Sequence, residues 1–408
     1  MPDILGQGGD REPRRWPRRA AVIVVLLLAA TVVIVAHLPR SRPATPPAAG
    51  PPATPPAAAT PAPLPISAPA AAGLAGNEGG ISGPTLPWDA SLRLPVTGAQ
   101  PVWLWPASGR TEPIRGLPRD PSGYQFTEAG GGWAVQALSA ARPVCGDCAG
   151  PPLPVYFLAD RAAAAAPVGV ATDVAPGAAA GTLWLTSYPA GADLSAAVGL
   201  AREVRVTGAA AGAALRLPAG YLIARATDRG LLLESATQGA GAAAFELWDP
   251  ATSRAGRRFT GVVAASAGEI ASAPQCRAAC QVRVLDLDTG RQITVTLPGV
   301  SSAASAAFSP DGSLLALEAS FYNGGDGGQL ATQLDVASMA SGRVTVVPGT
   351  WVSSDALAGF GWPAGGDTLI AELSFTARVQ VASWRPGNTR LSVAAIRPGP
   401  SSSSLIVG

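Results

Sequence analysis

The chain has 408 residues, among them 48 Gly and 40 Pro, and a formal net charge of only +2. So many helix breakers exclude a helical protein, and the length reads as one large all-β fold of short strands and turns. All 29 basic residues are Arg and the single histidine is His37, which removes Lys Schiff bases, His-based triads and His metal clusters from most of the chain.

Residues 1–19 carry Arg11, Arg14, Arg15, Arg18 and Arg19 ahead of an apolar run at 20–38. A run of that length is about what a helix needs to cross a bilayer core. Only Arg40 and Arg42 follow closely, so the positive flank predicts a cytoplasmic N-terminus, a transmembrane helix over 20–38 and an extracytoplasmic remainder. The protein is thus expected in the plasma membrane as a single-pass protein. A cleaved signal peptide is the rival reading. Against it, the run is long for a signal and Val35-Ala36-His37 offers no small-x-small site. No Cys follows the run closely, which argues against a lipoprotein anchor.

Residues 39–80 are a Pro/Ala-rich linker, with twelve prolines between Pro39 and Pro69. Such a stretch favours extended polyproline conformation and cannot pack a core, so it is expected to be disordered. At about 3.1 Å per residue its reach approaches roughly 100 Å.

From 83 to 397 one phrase recurs seven times: a short apolar strand, a turn of small or polar residues, and a second short strand. Its strands are Val102-Trp103-Leu104-Trp105, then 155–159, 204–207, 245–249, 282–286, 332–336 and 379–384. The equivalent positions Trp105, Leu158, Val206, Trp248, Leu285, Leu334 and Ser383 are 37 to 53 residues apart. A four-stranded propeller blade takes roughly 40 to 50 residues, so the pattern predicts a seven-bladed β-propeller, with six or eight blades if the terminal repeats are miscounted. A second element lies between the phrases: a polar hairpin turn leading into an apolar run, as around Asp228-Arg229-Gly230, Asp311-Gly312 and Gly366-Asp367. Ring closure is expected where Leu92-Arg93-Leu94 pairs into the last blade near residues 391–396. Residues 398–408 read as a flexible tail.

The stretch Phe308-Ser309-Pro310-Asp311-Gly312, with its following apolar strand, resembles the repeat of TolB-like and WD40-like bacterial propellers. The resemblance implies the propeller architecture over about residues 83–397 and supplies no active-site residue, because that family is functionally diverse and fold does not imply function.

The four cysteines form two close pairs, Cys145 with Cys148 and Cys276 with Cys280, each just before a turn-bearing strand. In an oxidising compartment pairing is the default, and two local disulfides are expected. The C-x-x-C redox reading of Cys145 and Cys148 lacks a helix start, because Ala149-Gly150-Pro151-Pro152 follows. A four-Cys zinc site would have to draw its two halves from blades well apart around the ring. Asp286-Leu287-Asp288-Thr289-Gly290 begins like a calcium loop but lacks the distal Glu, and reads as a hairpin turn. The glycine-rich stretch 323–328 reads as a loop tip.

No cofactor, metal or catalytic constellation is expected. From residue 81 onward there are 22 Arg against 23 acidic residues, so nucleic acid is not an expected partner. The expected function is a membrane-anchored, non-catalytic module that binds a protein or glycan of the cell envelope. The alternative is an extracytoplasmic hydrolase or lyase built from carboxylates at the propeller channel. Most of the ten Trp are expected to pack the core.

Overall fold

The computed structural model describes residues 85–396, apart from 99, 120, 140–147, 237–242, 274–275, 277–278, 323–328, 354–355, 364–365 and 376–377. The expected transmembrane helix, the linker, the tail, Cys145 and the loop tip at 323–328 lie outside the described residues.

Seven antiparallel sheets follow one another along the chain and make a seven-bladed propeller. Blade 1 is β1 (Leu94–Val96), β2 (Val102–Trp105) and β3 (Arg110–Pro113). Blade 2 is β4 (Gly123–Ala129), β5 (Gly132–Leu138), β6 (Leu153–Ala159) and β7 (Ala166–Ala171); blade 3 is β8 (Asp173–Pro176), β9 (Thr182–Ser187), β10 (Leu200–Arg205) and β11 (Leu215–Arg216). Blade 4 is β12 (Tyr221–Thr227), β13 (Gly230–Ser235), β14 (Ala244–Asp249) and β15 (Arg254–Thr260); blade 5 is β16 (Val262–Ala265), β17 (Glu269–Ser272), β18 (Ala279–Asp286) and β19 (Gln292–Pro298). Blade 6 is β20 (Ser302–Phe308), β21 (Leu314–Tyr322), β22 (Gln329–Ser338) and β23 (Val344–Val346); blade 7 is β24 (Leu357–Gly361), β25 (Leu369–Phe375), β26 (Arg378–Trp384) and β27 (Ser392–Ile396).

Within each four-stranded blade the strands pair in chain order. First strands of neighbouring blades touch, as β4 and β8 do, and β16 and β20, so they form the inner ring. Second strands are largely buried and mostly apolar, as in Gly-Trp-Ala-Val-Gln-Ala-Leu of β5, whose one polar side chain, Gln136, donates to Ala171 O at 3.3 Å. Third strands alternate, as in β18, where Val282 and Val284 are buried while Gln281 and Arg283 face out. Fourth strands are mostly exposed, β15 with its three Arg being the extreme. The seven recurring phrases are the hairpins between third and fourth strands. The second recurring element is the hairpin between first and second strands, seen at 225–233, 307–317 and 362–371.

The core is divided among the seams between blades. One cluster of buried side chains fills each of them, for instance Trp103, Trp133 and Leu158 between blades 1 and 2, or Leu297, Leu315 and Leu317 between blades 5 and 6. Trp103, Trp133, Trp184, Trp248, Trp362 and Trp384 are buried in these seams, as core packing requires.

Ring closure differs from the sequence expectation. Leu94 pairs with Leu104 inside blade 1, not with the last blade. The contact to blade 7 is made a few residues earlier: Leu86 N–H donates to Leu391 O at 2.8 Å, Ser392 Oγ donates to Pro87 O at 3.1 Å, and Arg385 pairs with Asp89 at 3.1 Å. Leu94 and Val96 are needed elsewhere, because with Ile370 and Val381 they fill the seam between blades 7 and 1. Burying them there removes more apolar surface from water than adding them to a solvent-facing outer edge would.

Cys276, in the connection between the second and third strands of blade 5, forms a disulfide with Cys280 at the start of β18. Cys148, in the corresponding connection of blade 2, is also disulfide-bonded. Closing so short a loop removes little chain entropy, so the double substitution Cys276→Ser and Cys280→Ala is expected to cost about 2 kcal/mol or less. Urea unfolding of the variant checks this, and a much larger loss would show the bridge holding more than its own loop.

Candidate functional site

The hairpins between first and second strands all open on one end of the central channel, where they border a cavity of about 560 Å³. Blade 2 brings Glu128, Gly130 and Gly131, blade 3 brings residues 177–180, and blade 4 brings Arg225. Blades 5, 6 and 7 close the rest of the wall with Ser266, with Phe308, Ser309 and Pro310, and with Trp362. Most of this wall is Gly and Ala. The charged side chains Glu128, Asp160 and Arg225 therefore stand out against it.

Each of the three is placed by a local feature of the chain. Glu128 is the last residue but one of β4, just ahead of the Gly130-Gly131 turn, where Gly131 takes φ of 91°. Arg225 follows a register shift between Ile223 and Arg225 in β12. Bulges recur in the inner strands β16, β20 and β24 as well, and such a bulge bends a strand and re-aims the side chains beside it. Asp160 follows β6, at the turn where Arg93 caps the neighbouring carbonyls: Arg93 Nε donates to Asp160 O at 3.1 Å and a terminal nitrogen donates to Ala162 O at 3.3 Å.

Burial raises the carboxyls of Glu128 and Asp160. For Asp160 the charge of Glu128 adds to burial, against Arg161 and Arg93, and its pKa is pushed up to about 6. Glu128 is raised by burial and pulled back by Arg225. Arg225 is lowered by burial and held up by Glu128. Asp160 Oδ1 and Arg225 Nε are both buried without a hydrogen-bond partner in the protein. A buried polar atom of this kind costs free energy unless water or a ligand meets it. The mouth is thus equipped to receive a polar group.

The turn motif singled out in the sequence belongs to the same wall. Ser309 Oγ donates to Asp311 Oδ1 at 2.7 Å and accepts from Leu314 N–H at 2.9 Å, while Ser313 N–H donates to Asp311 at 3.1 Å. These bonds hold the Asp311 carboxyl below its ordinary pKa. Gly312 sits at φ 70°, and a Cβ there would come within 2.9 Å of Glu269 Oε2. Asp311 is consumed by the turn, so the motif shapes the mouth while Phe308, Ser309 and Pro310 line it.

Asp286 likewise works as a turn residue: its Oδ1 accepts from Asp288 N–H and Thr289 N–H, each at 2.9 Å, and Asp288 pairs with Arg229 at 3.2 Å. Among the described residues no group of three or more His, Cys, Asp or Glu could hold a metal ion. Cys276 and Cys280 do not line the cavity at the mouth.

Glu128, Asp160 and Arg225 were not singled out as site residues from the sequence. The signal was present in part: each lies within a few residues of a hairpin turn.

No family model matches the sequence, and no curated protein matches it. Among solved structures the fold is similar to a prolyl endopeptidase, with 12% identity, a TM-score of 0.51 and coverage of 79% of this chain and 50% of that one. It is also similar to a putative 6-phosphogluconolactonase from Bacteroides uniformis, with 11% identity, a TM-score of 0.43 and coverage of 77% and 99%. A third match is a protein from Lactobacillus plantarum, with 10% identity, a TM-score of 0.43 and coverage of 77% and 100%. The chain spans half the length of the prolyl endopeptidase it matches, and at 12% identity the likeness is one of fold alone.

Proposed function

We propose that this protein is a membrane-anchored, extracytoplasmic and non-catalytic binding module that presents the channel mouth to a protein or glycan of the cell envelope. The observation that supports this reading is the pair of partnerless buried atoms, Asp160 Oδ1 and Arg225 Nε, at the edge of a cavity of about 560 Å³. The anchor and the extracytoplasmic address rest on the apolar run at 20–38 and its Arg flank. Affinity to TolB-like propellers is part of the same proposal and rests on Phe308, Ser309, Pro310, Asp311 and Gly312.

The test is binding of the purified full-length protein in detergent to a glycan array and to peptides tiled from envelope proteins. Arg225→Ala and Glu128→Gln are each expected to weaken a genuine ligand at least tenfold, about 1.4 kcal/mol, with the thermal unfolding midpoint as the control for folding. Ligands that bind both variants as tightly as the wild type would sink the assignment of the mouth.

A second reading, a hydrolase or lyase, is favoured by one observation: the Asp160 carboxyl, at about 6, is poised for proton transfer near neutral pH, next to a second raised carboxyl. Turnover of any bound glycan, abolished by Asp160→Asn while binding persists, would move the protein to that class.

A further inference from the structure

The charged side chains at the channel mouth do not satisfy one another. Glu128 and Arg225 attract, each opposing the effect of burial on the other, yet among the described residues they form no ion pair. Arg225 Nε and Asp160 Oδ1 are buried with no partner. Two other cations act on Asp160, Arg161 and Arg93. Arg161 is exposed, and Arg93 is already held by the Asp160 and Ala162 carbonyls and by the Trp103 ring. A gap therefore lies between one guanidinium and two carboxyls, and a group that fills it must present an acceptor to the first and donors to the others.

The sign of the charge on that group follows from the balance around it. Two carboxylates against one guanidinium leave one negative charge over. Two more carboxyls stand next to the same wall: Asp228, whose N–H donates to Ala267 O, and Glu269, whose N–H donates to Ser266 Oγ at 3.0 Å. Glu269 Oε2 is likewise buried without a partner, and its carboxyl is raised by burial and by the charges of Asp286 and Asp311. The mouth is thus short of positive charge. Among the described residues no group of three or more His, Cys, Asp or Glu could hold a metal ion, so the cation that suits it is an organic one.

The rest of the wall says what carries that cation. Its side-chain hydroxyls are engaged, Ser266 by the Glu269 N–H and Ser309 by Asp311 and the Leu314 N–H. Apart from these and the three charged groups, the wall is Gly, Ala, Pro, Phe and Trp. A sugar, with a hydroxyl on most of its carbons, would bury several of them here without partners. A ligand with one charged head on a largely apolar body would not. The cavity of about 560 Å³ is of the size that takes a small ligand, so it admits the first residues of a chain and not a folded domain.

We infer that the mouth captures the free N-terminus of a polypeptide. The α-ammonium lies between the carboxyls of Glu128 and Asp160, and the first carbonyl oxygen, on the neighbouring carbon, accepts from the Arg225 guanidinium. This rests on the reading of the mouth as a binding site and narrows its partner to a protein. The ammonium contacts are charge-assisted, and the Arg225 contact gives the second point that fixes the direction of the entering chain.

Apolar hexapeptides with a free N-terminus, and the same peptides N-acetylated, test this when titrated into the purified full-length protein in detergent. At about pH 7 the α-ammonium is mostly protonated and Asp160, with its pKa at about 6, is mostly ionised. The free peptides are expected to bind at least about tenfold more tightly than the acetylated ones. Glu128→Gln and Asp160→Asn should each shrink that ratio, and Arg225→Ala should weaken the free peptides. The comparison of free with acetylated peptides uses the unaltered protein, so it stands even where a variant fails to fold. Equal affinity for the two sets overturns the inference, as does no peptide binding at all, or tighter binding of glucosamine oligosaccharides, which carry the same ammonium on a sugar. Where something else binds, Arg225→Ala separates the two failures: binding that it weakens keeps the mouth as the site and removes only the N-terminus, and binding that it leaves unchanged removes both.

Discussion

Replacing Trp103 by alanine is expected to destabilise the propeller by about 3–5 kcal/mol, the range for emptying a large aromatic from a packed core. Trp103 is 1% exposed and meets Trp133 edge to face, with ring centroids 5.8 Å apart. Its indole N–H donates to Ala162 O at 3.1 Å, and the Arg93 guanidinium lies 4.3 Å above its ring. The side chain therefore ties β2 of blade 1 to β5 of blade 2 and to the turn carrying Asp160. Blade 1 has short strands, so the seams on its two sides carry much of what holds it. Trp103→Phe keeps an aromatic ring but loses the hydrogen bond and part of the volume, and should cost about 1–3 kcal/mol. Equilibrium urea unfolding measures both. A loss under about 1 kcal/mol for the alanine variant would mean that this seam carries little of the stability. Because Arg93 also holds the carbonyls of Asp160 and Ala162, the alanine variant should weaken ligand binding at the mouth as well.

Stability should fall as pH rises from 5 to 8, and Asp335→Asn should remove much of that slope. Asp335 lies in β22, 2% exposed, and burial pushes its carboxyl up to about 7, against a hydrogen bond from Gln333 Nε2 at 2.8 Å. Its ordinary value is 3.8. Between those two values the folded protein keeps a proton that the unfolded chain has released, so raising the pH through that window favours unfolding. Above about 7 the buried carboxylate is charged and the whole penalty is present. The size is on the order of 2 kcal/mol between pH 5 and 8. Asparagine keeps an oxygen for Gln333 and has no charge to bury, so the variant should gain more stability at pH 8 than at pH 5. Asp160 and Asp173, both raised to about 6 by burial, act in the same direction. The decisive reading is therefore the difference between variant and wild type. Parallel pH profiles for the two proteins would show that Asp335 does not titrate in this range.

How far the propeller could be read from the amino-acid order depends on the kind of signal. The hairpin of third and fourth strands was legible in every blade because a short apolar strand closed by a turn of small or polar residues is a local pattern, as in Val282 to Asp286 of β18 followed by Asp288-Thr289-Gly290. Inner strands were harder. Their sequences, such as Val-Val-Ala-Ala in β16, are short and interrupted by bulges, which break the two-residue period that identifies a strand. Closure at blade 1 was misplaced for a related reason. Leu92, Arg93 and Leu94 look like an edge strand, and nothing local distinguishes the outer edge of blade 7 from the seam that in fact takes Leu94.

By itself the sequence determined the all-β class, the blade-sized repeat, the local pairing of Cys276 with Cys280 and the role of Asp286 and Asp311 in turns. Each of these rests on residues within one blade, often within five positions, where spacing alone sets geometry. Only the tertiary structure decided that Glu128, Asp160 and Arg225 share one mouth. They come from two blades and three different strand ends, separated by up to 97 positions along the chain. Their raised or lowered pKa values arise from burial, which no single strand possesses before the ring is assembled.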